Sequence, residues 1–279
     1  MLNELTLTGE SLRELEESFK KFENLTFFEI ENEKKLLTEI INVTPYVFNL
    51  IEEELKTKKD YLILRKFGKN LSTLVSLVYF LSRGKIFHIP RLNNAFIAIF
   101  EMKNSNELSH TLKDGFFHTD YSTHPYTPDY LTLNIVRRDP MYPFYSRNSI
   151  VLLNDIIDFL KLYNRDLLKY LTSTDVPIKV NDKIVYQKII NLEDNVIRFH
   201  EKLIKDALII TNRENEVYYI DEFVTICTSL MKDFVLDEGD LAIISNKTVL
   251  HKRGPATVKF DNIEKKFIGR KVYSIRFYK

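Results

Sequence analysis

Seven short β-prone runs, at residues 95–102, 130–136, 149–153, 241–245, 248–251, 257–260 and 271–277, are separated by Asn, Asp, Pro and Gly turn signals. They predict a β-sheet core. Helical patterns surround and interrupt it. Leu12, Leu15, Phe19 and Phe22 have helical spacing over residues 8–22, with Ser11 as the expected N-cap, and further helices are predicted over 33–56 and 71–81, the last ending at Gly84. Between these two lies the apolar run Tyr61, Leu62, Ile63, Leu64, which suits a buried strand across 60–66. Residues 154–171, 198–206 and 221–232 read as helical, 176–190 as a hairpin and 216–220 as a strand.

The fold class expected is mixed α/β with an all-β core and helical decorations. With no repeat, low-complexity tract or linker, residues 1–279 read as a single domain. Residues 1–90 form a helical support, and 91–279 form the core with a helical insertion at 154–233.

Composition removes several function classes. Lys and Arg number 40 against 39 Asp and Glu, so no basic excess exists to bind a phosphate backbone, and nucleic acid is not an expected partner. One cysteine, Cys227, allows neither an internal disulfide nor a multi-cysteine metal cluster and fits a reducing cytoplasm. It is expected to be buried and unreactive. Glu4, Glu10, Glu14, Glu16 and Glu17 stand where a secretory signal would be basic and then apolar, and no run of 18 apolar residues occurs, so no membrane partner is expected. Only 7 glycines are present, and no glycine-rich nucleotide loop.

The chemistry concentrates in Phe116-Phe117-His118-Thr119-Asp120-Tyr121-Ser122. In an extended segment residues i and i+2 share a face, so His118 and Asp120 can offer an imidazole and a carboxylate to one point. A third ligand must come from far along the chain, and His251, ending the largely apolar stretch 240–250, is the candidate. Two histidines and one carboxylate on one face of an octahedron suit non-haem iron(II), leaving positions for co-substrate and oxygen. A His-x-Asp tripeptide alone is weak evidence.

Its surroundings add to it. Residues 117–140 (FHTDYSTHPYTPDYLTLNIVRRDP), with Pro128-Asp129-Tyr130 and Arg137-Arg138-Asp139-Pro140, resemble the metal-binding segment of clavaminate synthase-like and taurine dioxygenase-like enzymes. Gly239-Asp240-Leu241, Asn246, His251-Lys252-Arg253-Gly254-Pro255 and Phe260-Asp261 resemble their second metal segment. Together the two matches cover roughly half of the chain, in the family's order. The resemblance implies a double-stranded β-helix (jelly roll), Fe(II) held by His118, Asp120 and His251, and 2-oxoglutarate and O2 as co-substrates. It implies hydroxylation or desaturation of a C–H bond in a small polar substrate, with succinate and CO2 released. Related halogenases lack the carboxylate that Asp120 supplies here. A free amino acid is the expected substrate class, a basic one the first guess.

A guanidinium matches the distal carboxylate of 2-oxoglutarate bidentately. Arg270 is the first choice. It follows His251 by 19 residues, farther than the family arginine, and Lys266 sits nearer the family spacing. If Lys266 took that role, Arg270 would be free for a substrate carboxylate. Arg276, an even number of residues from Arg270, shares its strand face and is assigned to substrate, as are His124 and Tyr121. A hydroxyl near the co-substrate maps to Ser149, with Ser146 as the alternative. His88, His110 and His200 are read as structural or solvent-exposed, and lysine runs including Lys265-Lys266 as solvated surface. The competing readings are a non-catalytic jelly-roll binding or sensor protein retaining the metal site, and an interaction protein whose His-x-Asp is accidental. Oligomeric state is not legible.

Overall fold

Thr8, not Ser11, caps the first helix: its hydroxyl accepts the Ser11 N–H, which places Ser11 inside the first turn of α1 (Gly9–Phe19). The computed structural model describes residues 2–103 and 110–279. A short strand, β1 (Glu4–Thr6), precedes α1, and α2 (Phe27–Asn32) follows it, opened by a capping box between Thr26 and Glu29. The helix expected over 33–56 is two, α3 (Lys34–Ile41) and α4 (Val47–Lys58). Pro45 lies between them, lacks an N–H and disfavours helical backbone just before it. β2 (Tyr61–Arg65) and α5 (Leu71–Ser82) match expectation, with Arg83 and Gly84 at positive φ ending the helix.

β3 (Ile97–Glu101), β4 (Tyr130–Arg137) and β5 (Asn148–Leu152) begin the core. Asn164 divides the helix expected over 154–171 into α6 (Leu153–Tyr163) and α7 (Arg165–Ser173), capping the second by accepting the Leu167 N–H. The expected hairpin is β6 (Val176–Val180) and β7 (Lys183–Gln187), followed by the small ladder β8 (Ile190–Asn191) and β9 (Val196–Ile197). After α8 (Glu201–Ile210), the strand expected at 216–220 is absent. Those residues open α9 (Val217–Leu230), because burying Ile220, Phe223 and Cys227 on one helical face overrides their β propensity. β10 (Lys232–Phe234), β11 (Leu241–Ser245), β12 (Val249–Arg253), β13 (Val258–Asp261), β14 (Lys266–Gly269) and β15 (Lys271–Phe277) complete the chain.

Six strands form one sheet in the order β1-β2-β11-β4-β15-β3, and three form another in the order β10-β5-β12. Strand periodicity sorts their side chains into layers. Leu62, Leu64, Leu241, Ile243, Ile275 and Phe277 leave the large sheet on its outer face and pack against helices α1–α5. Ile63, Ala242, Ile244 and Val272 point the other way and meet Ile150, Val249 and Phe234 of the small sheet. Val151 and Leu250 face outward from the small sheet, onto the second helical layer built by α6–α9. The protein is thus mixed α/β with a β-rich core. Among the described residues, no helix is long and apolar enough to cross a membrane.

Alternation has a direct consequence for the site. With Val249 directed between the sheets and Leu250 away, His251 returns to the space between them. The segment approaching it is held at close range through Gly115, whose N–H donates to the Arg253 carbonyl at 2.8 Å. A Cβ on Gly115 would lie 2.9 Å from that same oxygen. Gly115→Ala is expected to destabilise the protein by about 1–3 kcal/mol, since neither backbone can yield without shifting a site strand. Thermal unfolding checks this; an unchanged midpoint would show the approach to be slack.

Candidate metal centre

His118 does not lie in a long strand. It makes single antiparallel bridges on both sides, to His251 and to His200. Reciprocal backbone bonds of 3.1 Å join His118 and His251, and Thr119 donates to the Phe199 carbonyl at 2.8 Å. Directly after this, the chain turns at Asp120. Asn246 holds the turn: its side-chain oxygen accepts the Asp120 N–H at 2.7 Å while its amide donates to the carbonyls of Asp120 at 2.8 Å and Pro128 at 3.1 Å. Asn246 is fully buried, and its donor and acceptor roles are both used.

These constraints converge three side chains. The ligating atoms of His118, Asp120 and His251 lie within 4.8 Å of one another. Asp120 Oδ1 is 3.5 Å from His118 Nε2 and 3.8 Å from His251 Nε2. His118 Nδ1 donates to the Phe116 carbonyl at 2.8 Å, which leaves Nε2 as the lone-pair nitrogen facing its partners. The other carboxylate oxygen, Oδ2, accepts from Arg276 Nε at 2.7 Å and Nη2 at 2.6 Å. Arg276 therefore occupies the outer oxygen and leaves Oδ1 as the donor toward the histidines.

Burial by itself would raise the Asp120 carboxyl, but Arg276 and the two histidines outweigh it and hold the group well below the usual carboxylate range. Burial opposes the charged form of His118, yet the Asp120 carboxylate and the Phe116 carbonyl raise it above its ordinary value. Burial and the neighbouring His118 push His251 down. Two imidazoles and one ionised carboxylate, with open space before them, fit a divalent iron that must keep coordination positions free.

The triad opens into a cavity of about 490 Å³ between the sheets, which Arg270, Arg276, Tyr121 and Ser149 also line. Arg270 is fully buried and donates only to the Ser146 carbonyl at 3.1 Å and the Asn148 side-chain oxygen at 3.2 Å. Burial, then the nearby Arg253, pushes it down to about 9, with Asp139 only partly opposing them. The Asn148 amide nitrogen beside it is buried without a partner. A dianion with one carboxylate at Arg270 would satisfy both groups.

Other predicted residues fall elsewhere. The Ser149 hydroxyl donates to Asp233 at 2.6 Å, and that of Ser146 to Asp139 at 2.7 Å. Lys266 is exposed on β14, paired with Glu264 at 2.6 Å, and is not brought to the cavity. The β13–β14 hairpin it belongs to lengthens the path from His251 to Arg270, which accounts for their wide separation. His124 packs edge-on against Phe87 outside the cavity, while Tyr121 lines it with its hydroxyl buried and unpartnered.

His200, read from sequence as structural, lines the cavity beside His118. It caps α8, its Nδ1 accepting the Leu203 N–H, and burial beside His118 pushes it down to about 3. Asn148 and Arg91 were likewise missed, while Asn246 and Arg253 entered only as part of the motif resemblance, with no role of their own. For Asn246 the available signal was its place in that motif, five residues before His251.

Neither a scan of protein-family models nor a search of curated proteins gives a match. Solved structures do match. An asparagine oxygenase in complex with Fe(II), 3-hydroxyasparagine and succinate superposes with a TM-score of 0.75 at 13% identity, covering 99% of this chain and 93% of that one. The non-heme iron oxygenase OrfP with Fe and alpha-ketoglutaric acid gives 0.70 at 14% identity, covering 100% and 94%. A mutant of OrfP in complex with (3S)-hydroxy-L-Arg gives 0.72 at 14% identity, covering 99% and 94%. The chain has the fold of these non-heme iron oxygenases.

Cobalt(II) titration followed by calorimetry checks the centre. A single site is expected in the unaltered protein and none in Asp120→Ala or His251→Ala. Asn246→Ala, which removes no ligand, should weaken binding about 10- to 100-fold and cost about 1–3 kcal/mol of stability by leaving buried backbone groups unpaired. Equal affinity in Asn246→Ala would show that the Asp120 turn holds itself.

Proposed function

We propose that this chain is an Fe(II)- and 2-oxoglutarate-dependent oxygenase acting on a small polar substrate, a free amino acid. The observation that carries the reading is the meeting, in one cavity, of the His118, Asp120 and His251 donors with a buried Arg270 that has no carboxylate partner among the described residues. The two facing sheets support a double-stranded β-helix. The helices of residues 1–90 and 154–233 support one catalytic unit built around it. One buried cysteine supports a reducing compartment, the cytoplasm.

Iron(II) bound at the triad, with 2-oxoglutarate and O2, would supply decarboxylation of the keto acid to succinate and CO2 coupled to hydroxylation of a substrate C–H bond. The protein's contribution is placement. Arg270 and the Asn148 amide orient the distal carboxylate of the co-substrate, so its keto-acid end reaches the triad. Arg276 keeps Asp120 ionised by donating to Oδ2, which leaves Asp120 Oδ1 facing inward. The third nitrogen of Arg276, Nη1, is buried without a partner, and Phe100 and Tyr121 flank the guanidinium at 5.4 and 5.8 Å. A substrate carboxylate would satisfy Nη1 and the Tyr121 hydroxyl together. Leu131, Leu133 and Ile244 line the cavity with apolar surface that excludes water.

The neighbours support this substrate class: one asparagine oxygenase structure holds a hydroxylated asparagine and one OrfP structure a hydroxylated arginine. Succinate formation from 2-oxoglutarate, iron(II) and a pool of amino acids tests the reading. Arg270→Leu is expected to raise the KM for 2-oxoglutarate by about 100-fold or more while cobalt(II) still binds. An unchanged KM would remove Arg270 from the co-substrate site.

A further inference from the structure

The charge of the cavity restricts which amino acids fit it. Among the described residues, five cationic side chains line it, Arg91, Lys252, Arg253, Arg270 and Arg276, against two carboxylates, Asp114 and Asp120. Both acids are already engaged. Asp120 is held by Arg276, and Asp114 lies 3.4 Å from the Lys252 ammonium. Asp139 is the next acid behind Arg270, but it is committed to the Ser146 hydroxyl and the Thr257 backbone, away from the cavity. A divalent iron and the dianion 2-oxoglutarate cancel, so the excess of positive charge survives loading.

The unpaired polar atoms have the same bias. Arg276 Nη1 and the Asn148 amide nitrogen are buried donors, and the Tyr121 hydroxyl a buried group able to donate, with no hydrogen-bond partner among the described residues. His200 spends Nδ1 accepting from Leu203, which leaves its proton on Nε2, a further donor at the cavity wall. Among the described lining residues, no unpaired carboxylate is available to receive an ammonium or a guanidinium.

We infer that the substrate carries net negative charge, an acidic amino acid or a closely related carboxylic acid, and that amino acids with a cationic side chain are disfavoured. This inference rests on the oxygenase reading, narrows its substrate class and replaces the first expectation of a basic amino acid. Arg91 is the rim group of the set: it is exposed in the turn Pro90–Leu92, and no carboxylate partner is described for it. There it attracts acids to the mouth and repels bases, as charge of one sign in a low-dielectric cleft does.

The test is anaerobic calorimetry on protein holding iron(II) and saturating 2-oxoglutarate, titrated with L-aspartate, L-glutamate, L-asparagine, L-glutamine, L-lysine and L-arginine. At least one acidic amino acid is expected to bind about tenfold or more tightly than either basic one. Arg91→Glu is expected to narrow that ratio by about three- to tenfold, with cobalt(II) binding as the check that the variant is folded. Lysine or arginine binding as tightly as the acids, or no acid binding at all, would overturn the inference. Failure of the oxygenase reading is distinct, because the protein would then not take up iron(II) and 2-oxoglutarate in the loading step.

Discussion

Two reciprocal backbone hydrogen bonds, between His118 and His251, underlie the site. They join the segment after Gly115 to strand β12, two parts of the chain that nothing local would bring together. Forming them closes a very long loop, and the entropy of that closure grows only slowly with length, so burial around the junction can offset it. Phe117 on one side and Leu250 on the other enter the same apolar layer and supply that burial. Once the bridge is formed, strand alternation directs His251 inward and the Asn246 clamp sets the turn at Asp120.

Electrostatics then divides the cavity into two kinds of positive group. Arg276 has its counter-charge inside the protein, in the Asp120 carboxylate. Arg270 has no such carboxylate partner among the described residues: its guanidinium donates to a carbonyl and an amide oxygen. A buried cation without an anion is costly, and proteins retain such groups where a ligand completes them. The unfilled donors at Asn148 and Tyr121 point the same way. The fold tolerates an incomplete polar site because the co-substrate and substrate would complete it.

Much of this was legible in the residues. The strand runs, the candidate triad and Arg270 could be read from alternation, residue chemistry and a resemblance carried by two short segments. What escaped depended on partners distant in sequence. Tyr218, Tyr219 and Ile220 look like a strand until a helical face buries Ile220 with Phe223 and Cys227. Lys266 had the better spacing, but the β13–β14 hairpin moves spacing out of register with space, and the lysine ends on the surface. His200 reads as a polar residue on a helix. Its place beside His118 comes from a bridge between elements that sequence does not pair.

The account claims that one cavity holds both the metal and the keto acid. Anaerobic addition of iron(II) and then 2-oxoglutarate to the purified protein, followed by visible absorption, tests this most directly, because chelation of the metal by a keto acid produces a weak charge-transfer band. The account predicts that the band appears in the unaltered protein and is absent from His118→Ala. Iron binding without the band would contradict the co-substrate assignment, and failure of iron to bind would contradict the centre itself.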